Sequence, residues 1–182
     1  MKESMFYSQV IQASELAVFA HKSQYRRGTD IPYVVHPLRV ARVISESKIP
    51  EGLKINRRAA TLAAILHDVL EDSDTDPKII KKLFGKTVSR IVEELTQDKT
   101  LPQKKRRKKM VKSCKEMSNE AKLVKLADRE DNLRDMQPFG IRSNIIYCNE
   151  TIRMLDSGLS GISPEIEGRI RRILSDTLSE KP

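Results

Sequence analysis

Leu66-His67-Asp68-Val69-Leu70-Glu71-Asp72 decides the fold, because it places an imidazole and three carboxylates at the end of an apolar run. The residues before the imidazole, Ala-Ala-Thr-Leu-Ala-Ala-Ile-Leu at positions 59–66, have the composition of a buried helix. Glu71 follows His67 by four residues and should lie one turn along the same helix face, and Asp72 stands in the same relation to Asp68. Burying so many carboxylates is costly unless a cation pairs with them. A metal site is therefore one interpretation, and a hydrogen-bonded core His-Asp pair is the other.

The composition favours a single all-helical domain that is soluble and cytoplasmic. Aromatic residues make up only 4% of the 182 residues and Trp is absent, so the core must be built from Leu, Ile, Val, Ala and Met. No run approaches the roughly 20 apolar residues of a membrane span, and the first residues lack the apolar stretch of a signal peptide. Cys114 and Cys148 have no metal-binding spacing and are expected to be free thiols.

Apolar periodicity and cap residues predict a series of helices. Pro32 and Pro37 should hold His36 rigidly just before a helix, and Asn56 and Asn119 are expected to cap the helices that carry the acidic motifs. The predicted helices span about residues 6–25, 37–47, 56–72, 77–84, 86–96, a segment from about 110, 119–136, 144–155 and 165–178.

The net charge of +9 indicates an anionic partner, which could be a nucleic acid, a membrane surface or a phosphorylated small molecule. Much of this charge lies in the consecutive cations Lys104-Lys105-Arg106-Arg107-Lys108-Lys109. Such a run fits a nuclear localisation signal, a nucleic-acid patch or a solvated helix face that steers phosphates. The residues alone leave these three interpretations open.

Four side chains are candidate metal ligands: His36, His67, Asp68 and Asp128. Two nitrogens and two oxygens would leave open positions on the metal, which a catalytic ion needs for water and substrate. Asp128 could instead form a salt bridge with Arg129, its neighbour in the chain.

An isolated His, a His-Asp doublet and a distant Asp resemble the pattern of the HD-domain metal-dependent phosphohydrolases. The closer resemblance is to the hydrolase domain of the RelA/SpoT homologue family, and within it to the single-domain small alarmone hydrolases of the metazoan SpoT homologue type. It covers about residues 14–136. The segments that carry it are Ala20-His21-Lys22-Ser23-Gln24-Tyr25-Arg26-Arg27, Pro32-Tyr33-Val34-Val35-His36-Pro37, Leu66-His67-Asp68-Val69-Leu70-Glu71-Asp72, Asp98-Lys99-Thr100-Leu101-Pro102, and Lys122-Leu123-Val124-Lys125-Leu126-Ala127-Asp128-Arg129 with Asn132.

The resemblance implies an all-α HD-domain bundle over residues 1–182, with C-terminal helices at about 142–180. It also implies a Mn2+-dependent enzyme that removes the 3′-pyrophosphate of guanosine tetra- and pentaphosphate, ppGpp and pppGpp. The metal ligands would be His36, His67, Asp68 and Asp128, with Glu71 and Asp72 positioning and deprotonating the attacking water. The substrate-binding residues that it implies are Arg26, Arg27, Lys99, Arg129, Asn132 and Arg142. His21 matches the family pattern and is interpreted as structural.

Two other functions are kept as alternatives. One is an HD phosphohydrolase acting on another nucleotide, such as the 2′-phosphorylated NADPH. The other is a basic helical module that binds nucleic acid through residues 104–109, for which affinity should fall steeply with salt. A homo-oligomer is compatible with either enzyme.

Overall fold

The structure is a computed structural model that describes residues 3–136 and 140–179. It is helical, as predicted, and the described residues form no sheet, only an isolated bridge between Tyr25 and Pro32. The helices are α1 (Glu3–Ala20), α2 (Val35–Glu46), α3 (Arg57–Leu66), α4 (Val69–Asp72), α5 (Pro77–Leu95), α6 (Gln103–Ser113), α7 (Asn119–Arg134), α8 (Ile141–Met154) and α9 (Pro164–Ser179), with a π-helical turn at Leu155–Leu159.

Helix α3 is the centre of the bundle and packs against α1, α2, α5 and α7. Residues 59–66 of this helix are all buried, which explains why the segment is apolar on every face. Its several alanines let the neighbouring helices approach closely. Asn56 caps it, as predicted, with its side-chain oxygen accepting a hydrogen bond from Ala59 N at 3.1 Å.

The helix predicted to run through residue 72 is interrupted at its most informative point. α3 ends at Leu66 and α4 begins at Val69, with Asp68 at φ −98° and ψ −7° between them. Neighbouring side chains in a regular helix point about 100° apart. The break therefore allows His67 and Asp68 to turn toward the same place, while Asp72 N still bonds to Asp68 O at 2.8 Å.

Helix α7 is unusual because it buries charged side chains as well as apolar ones. Glu130 is fully buried and accepts a hydrogen bond from Arg169 Nε at 2.6 Å, which ties α9 to α7. The pairing compensates the cost of removing a carboxylate from water. The buried charged residues of α7 are Lys125, Asp128, Arg129, Glu130 and Asp131.

Several predicted boundaries differ from the structure. α1 ends at Ala20 rather than near Tyr25, because the chain folds back and Tyr33 N donates to Gln24 O at 2.9 Å. The cap of α7 is Ser118, whose hydroxyl accepts from Ala121 N at 3.3 Å, and not Asn119. By contrast, the predicted helix end near Gly85 is confirmed, because Gly85 has non-helical backbone angles, φ 87° and ψ 170°, and α5 is kinked there.

The predicted break at 136–140 lies partly outside the described residues. Within residues 3–136 and 140–179, no helix combines the length and the apolar character that crossing a membrane requires.

Candidate metal centre

Three of the four predicted ligands converge from three different parts of the chain. His36 lies on α2, His67 follows α3 and Asp128 lies on α7, and all three are buried. One donor atom from each lies within 4.8 Å of the other two. Asp128 Oδ1 is 3.2 Å from His36 Nε2 and 3.8 Å from His67 Nε2. Two imidazole nitrogens and a carboxylate oxygen around one point form a divalent metal site.

The orientation of His67 supports this assignment. Its Nδ1 is 2.8 Å from Ala64 O, and because a carbonyl only accepts, Nδ1 must carry the proton. In the neutral ring Nε2 then carries no proton, and its electron pair faces Asp128. This nitrogen is buried and makes no regular hydrogen bond among the described residues, although Asp68 Oδ2 lies 3.1 Å away. A buried imidazole nitrogen that faces carboxylates in this way fits a metal ligand better than a core histidine.

His36 is held by a carboxylate that the sequence analysis missed. Its Nδ1 lies 2.7 Å from Asp131 Oδ2, while Asp131 Oδ1 lies 2.7 Å from Arg39 Nε. This carboxylate–histidine arrangement orients the imidazole so that Nε2 faces the centre. A signal was available, since Asp131 follows Asp128 by three residues on the same helix and must share its face.

Asp68 lies at the edge of the three-residue group. Its Oδ2 is 3.1 Å from His67 Nε2 and 3.8 Å from His36 Nε2, and it accepts a hydrogen bond from Tyr33 OH at 2.6 Å. Burial and the adjacent Asp68 carboxylate both raise the pKa of Tyr33, so its hydroxyl remains a donor. The role of Asp68 as a fourth ligand stays a prediction.

Asp128 is paired by Lys125, and not by Arg129 as the alternative interpretation proposed. Lys125 Nζ donates to Asp128 Oδ2 at 2.9 Å, which leaves Oδ1 facing the imidazoles. Burial acts to raise the pKa of Asp128, but the Lys125 charge and the two nearby imidazoles outweigh it and lower the pKa well below its usual value.

The same contacts act in the opposite direction on the imidazoles. Burial acts to lower the pKa of His36 and of His67, but the facing carboxylates outweigh it and raise both. The raised pKa values favour a proton on each imidazole when no cation is bound. A bound divalent ion would replace those protons.

Glu71 and Asp72 lie one turn beyond the His-Asp pair and are held differently. Glu71 Oε2 accepts from the backbone nitrogen of Gln97 at 3.1 Å, and Arg106 Nη1 is 3.7 Å from its other oxygen. Burial raises the pKa of Glu71 above its ordinary value, which makes its carboxylate a stronger base. Asp72 is more open to solvent and forms an ion pair with Lys99.

Comparison with known proteins places the chain in a family. Residues 13–144 match a family model described as the HD domain. The chain belongs to the HD domain family. This membership confirms the predicted fold class, and the resemblance to small alarmone hydrolases is confirmed by relatives that match it over most of its length.

The HD-domain relatives include two vertebrate proteins. The chain is 40% identical over 172 residues to the guanosine-3′,5′-bis(diphosphate) 3′-pyrophosphohydrolase MESH1 of Homo sapiens, which covers 91% of this chain and 93% of the human protein. It is 36% identical over 176 residues to MESH1 of Xenopus tropicalis, covering 92% of this chain and 93% of that protein.

Solved structures agree with the sequence comparison. One, described as a metazoan ortholog of SpoT that hydrolyzes ppGpp, superposes with a TM-score of 0.82 at 30% identity, covering 92% of this chain and 94% of that one. The protein lmo0812 of Listeria monocytogenes superposes with a TM-score of 0.65 at 25% identity, covering 82% and 97%.

A cavity of about 440 Å³ adjoins the metal centre of this HD domain. Asn132 connects the two, because its side-chain nitrogen donates to Asp128 Oδ1 while the residue also lines the cavity. Arg26 Nη2 donates to Asn132 Oδ1 at 3.0 Å. The cavity is lined by Arg27, Gln103, Arg107, Asn132, Met136, Ser143, Asn144, Ile146 and Tyr147.

The predicted substrate residues lie in several different places. The structure brings Arg27 and Asn132 to the cavity wall, with Arg26 behind Asn132 and bonded to it, and it places Lys99 beside Asp72. Arg129 instead stacks over the Tyr147 ring, with its guanidinium carbon 4.3 Å from the centroid, and donates to Glu150. Arg142 is exposed in the first turn of α8, next to Ser143 at the cavity wall.

Proposed function

We propose that this HD-domain chain is a metal-dependent (p)ppGpp 3′-pyrophosphohydrolase, which converts ppGpp to GDP, or pppGpp to GTP, and pyrophosphate. The observation that carries the proposal is the buried group of His36, His67 and Asp128, whose donor atoms lie within 4.8 Å of one another. The MESH1 relatives, named as 3′-pyrophosphohydrolases, support the substrate class.

The donors suit Mn2+, since imidazole nitrogen and carboxylate oxygen together bind Mn, Fe or Zn. His36, His67 and Asp128 would hold the ion, and Asp68 would be its fourth protein ligand. A bound divalent ion would polarise a phosphoryl oxygen and lower the pKa of water in the site. The Asp131 carboxylate and the Ala64 carbonyl fix the imidazoles, so the ligands are held in orientation.

Glu71 is the residue best placed to take the proton from the attacking water. In this reaction the water oxygen bonds to the phosphorus next to the ribose 3′ oxygen, and the bond between that phosphorus and the 3′ oxygen breaks. The 3′ oxygen leaves with a proton, and pyrophosphate is released. A raised pKa makes Glu71 a stronger base for this transfer, and Asp72, paired with Lys99, would orient the same water.

The cavity beyond Asn132 would hold the nucleoside. Tyr147 offers an aromatic ring, Asn132 and Asn144 offer amide groups, and Arg27 contributes a cation to its wall. Asn144 Oδ1 is buried without a hydrogen-bond partner in the described part of the chain, so a donor on the bound base would satisfy it. A cytoplasmic location and a homo-oligomer stay predictions from the sequence.

The test is pyrophosphate release from ppGpp by the metal-loaded chain, by a chelator-treated sample, and by the Glu71→Gln and Glu15→Gln variants. Glu71→Gln should lower kcat by about 10²- to 10⁴-fold because it removes the base, yet it should still bind Mn2+. Glu15 is exposed on α1, and its variant is the matched control. NADPH is assayed on the same preparation. A folded, Mn2+-loaded wild type that leaves ppGpp intact while releasing phosphate from NADPH would replace this proposal with the alternative substrate.

A further inference from the structure

A second groove lies between α6 and α8, and the proposed reaction does not use it. Its volume is about 620 Å³, with Val111 and Ile146 contributing apolar surface. Cationic side chains dominate the remaining wall, and among the described residues that line it Glu150 is the only carboxylate. The cations are Lys104, Arg107, Lys108, Lys112 and Arg153.

The positive charge of this groove is not balanced by the protein. Glu150 is already engaged, because it accepts from Arg129 Nη2 and lies 3.4 Å from Arg107 Nε. Within residues 3–136 and 140–179, no carboxylate lies at ion-pair distance from the other four cations of the groove. Several like charges around one concave surface repel one another, so an anion bound there would relieve the repulsion.

The run of cations at residues 104–109 is therefore divided between different places. Lys104, Arg107 and Lys108 share the helix face that lines the groove. Arg106 instead points to the catalytic side, with Nη1 3.7 Å from Glu71 Oε1, and Lys109 lines a separate pocket with Glu93 and Glu94. Three of the six cations therefore line one defined groove.

The groove is continuous with the cavity proposed for the nucleoside. Gln103, Arg107 and Ile146 line both, and Asn132, on the wall of the cavity, binds Asp128 of the metal centre. The three sites therefore lie in the order metal centre, nucleoside cavity and cationic groove. A nucleoside in the cavity would have an anion-binding site on either side.

We propose that the α6–α8 groove binds the 5′-polyphosphate arm of the substrate while the 3′-pyrophosphate lies at the metal. This inference rests on the proposed function. Its chemical basis is that the substrate carries phosphate chains at both the 3′ and the 5′ positions of one ribose. Lys104 to Lys112 spans about 12 Å along the helix at 1.5 Å per residue, so a longer chain meets more cations. The groove makes affinity depend on the number of 5′ phosphates.

The experiment compares steady-state kinetics for guanosine 3′-diphosphates that carry one, two or three 5′ phosphates. The test variant is Lys104→Gln/Lys108→Gln. The matched control is Lys81→Gln/Lys82→Gln, which removes the same charge from exposed positions on α5. Since each solvent-exposed ion pair changes affinity by about 1.4- to 5-fold, removing two of them should raise KM for the 5′-triphosphate roughly 2- to 25-fold. KM for the 5′-monophosphate should change less than about 2-fold, and kcat should stay the same for all three.

Each other outcome overturns the assignment. An equal rise in KM for the three substrates in both variants indicates general attraction of anions by a basic protein, which increased salt would abolish. Unchanged kinetics in the test variant means that the groove does not contact the substrate. A wild-type chain that cleaves none of the three removes the proposed function, and this result is distinct from cleavage without discrimination. Equal melting temperatures of both variants exclude a folding effect.

Discussion

The carboxylate of Asp131 should control metal affinity without being a ligand. It accepts the hydrogen bond of His36 Nδ1 at 2.7 Å, and the charge of the carboxylate makes the imidazole a stronger electron donor at Nε2. Asp131→Asn keeps the size of the side chain and an oxygen that can accept this bond, but it removes the charge. The substitution therefore weakens electron donation by His36 Nε2 while leaving the position of the imidazole nearly unchanged.

The magnitude follows from the contacts. Charged hydrogen bonds are about twice as strong as neutral ones, and loss of such a partner typically lowers metal affinity about 10- to 100-fold, or ~1.4 to 2.7 kcal/mol. Asp135→Asn is the matched control, because Asp135 lies one turn further along the chain and pairs with Arg39 and Arg26 but not with His36. Both variants remove one negative charge near the centre, so their difference measures the contact with the imidazole.

Isothermal titration calorimetry with Mn2+ on chelator-treated protein would provide the three dissociation constants. We expect Asp131→Asn to weaken binding by at least about 10-fold and Asp135→Asn by less than about 3-fold. Thermal unfolding of the metal-free proteins checks that each variant is folded. Equal Mn2+ affinities for the two variants would refute the role of the Asp131–His36 hydrogen bond, because the loss of affinity would then come from a long-range change in charge.

Three further predictions concern stability. Gly158→Ala should lower the melting temperature, because residue 158 has φ 134° and the added Cβ would lie 2.9 Å from the Lys115 backbone. Gly168→Ala should raise the melting temperature by about 2–4 °C, because Gly168 lies within α9 and its added Cβ would face open space. Lys125→Met should lower the unfolding free energy of metal-free protein by about 3–5 kcal/mol in urea titrations, and Mn2+ should restore part of it, because the buried Asp128 carboxylate loses its partner. Burial acts to raise the pKa of Asp131, but His36 and Arg39 outweigh it and lower the pKa. The Asp131 carboxylate therefore stabilises the folded protein above about pH 3.9, and this stabilisation is lost as the pH falls below that value. Circular dichroism during acid titration should show a weaker pH dependence for Asp131→Asn, and an unchanged acid transition would contradict this.

Much of the site could be predicted from residue types and their order. His36, His67 and Asp128 were named from motifs, and the structure brings their donor atoms within 4.8 Å. The contacts around them were not predicted, because His36 and Asp131 are separated by 95 residues and no local pattern records which partner an imidazole meets. The Lys125 pairing of Asp128 lies within one helix and could have been found from the three-residue spacing.

By itself, the sequence determined the helical class, the buried α3 and the chemical identity of the ligands, because apolar periodicity and donor types are properties of the chain alone. Only the tertiary structure decided the directions of the side chains. It broke the predicted helix between Leu66 and Val69, turned Arg129 toward Glu150, and divided the cationic run between the catalytic side and a groove. These outcomes depend on how helices distant in sequence pack against one another, and packing selects among orientations that local preferences leave equal in energy.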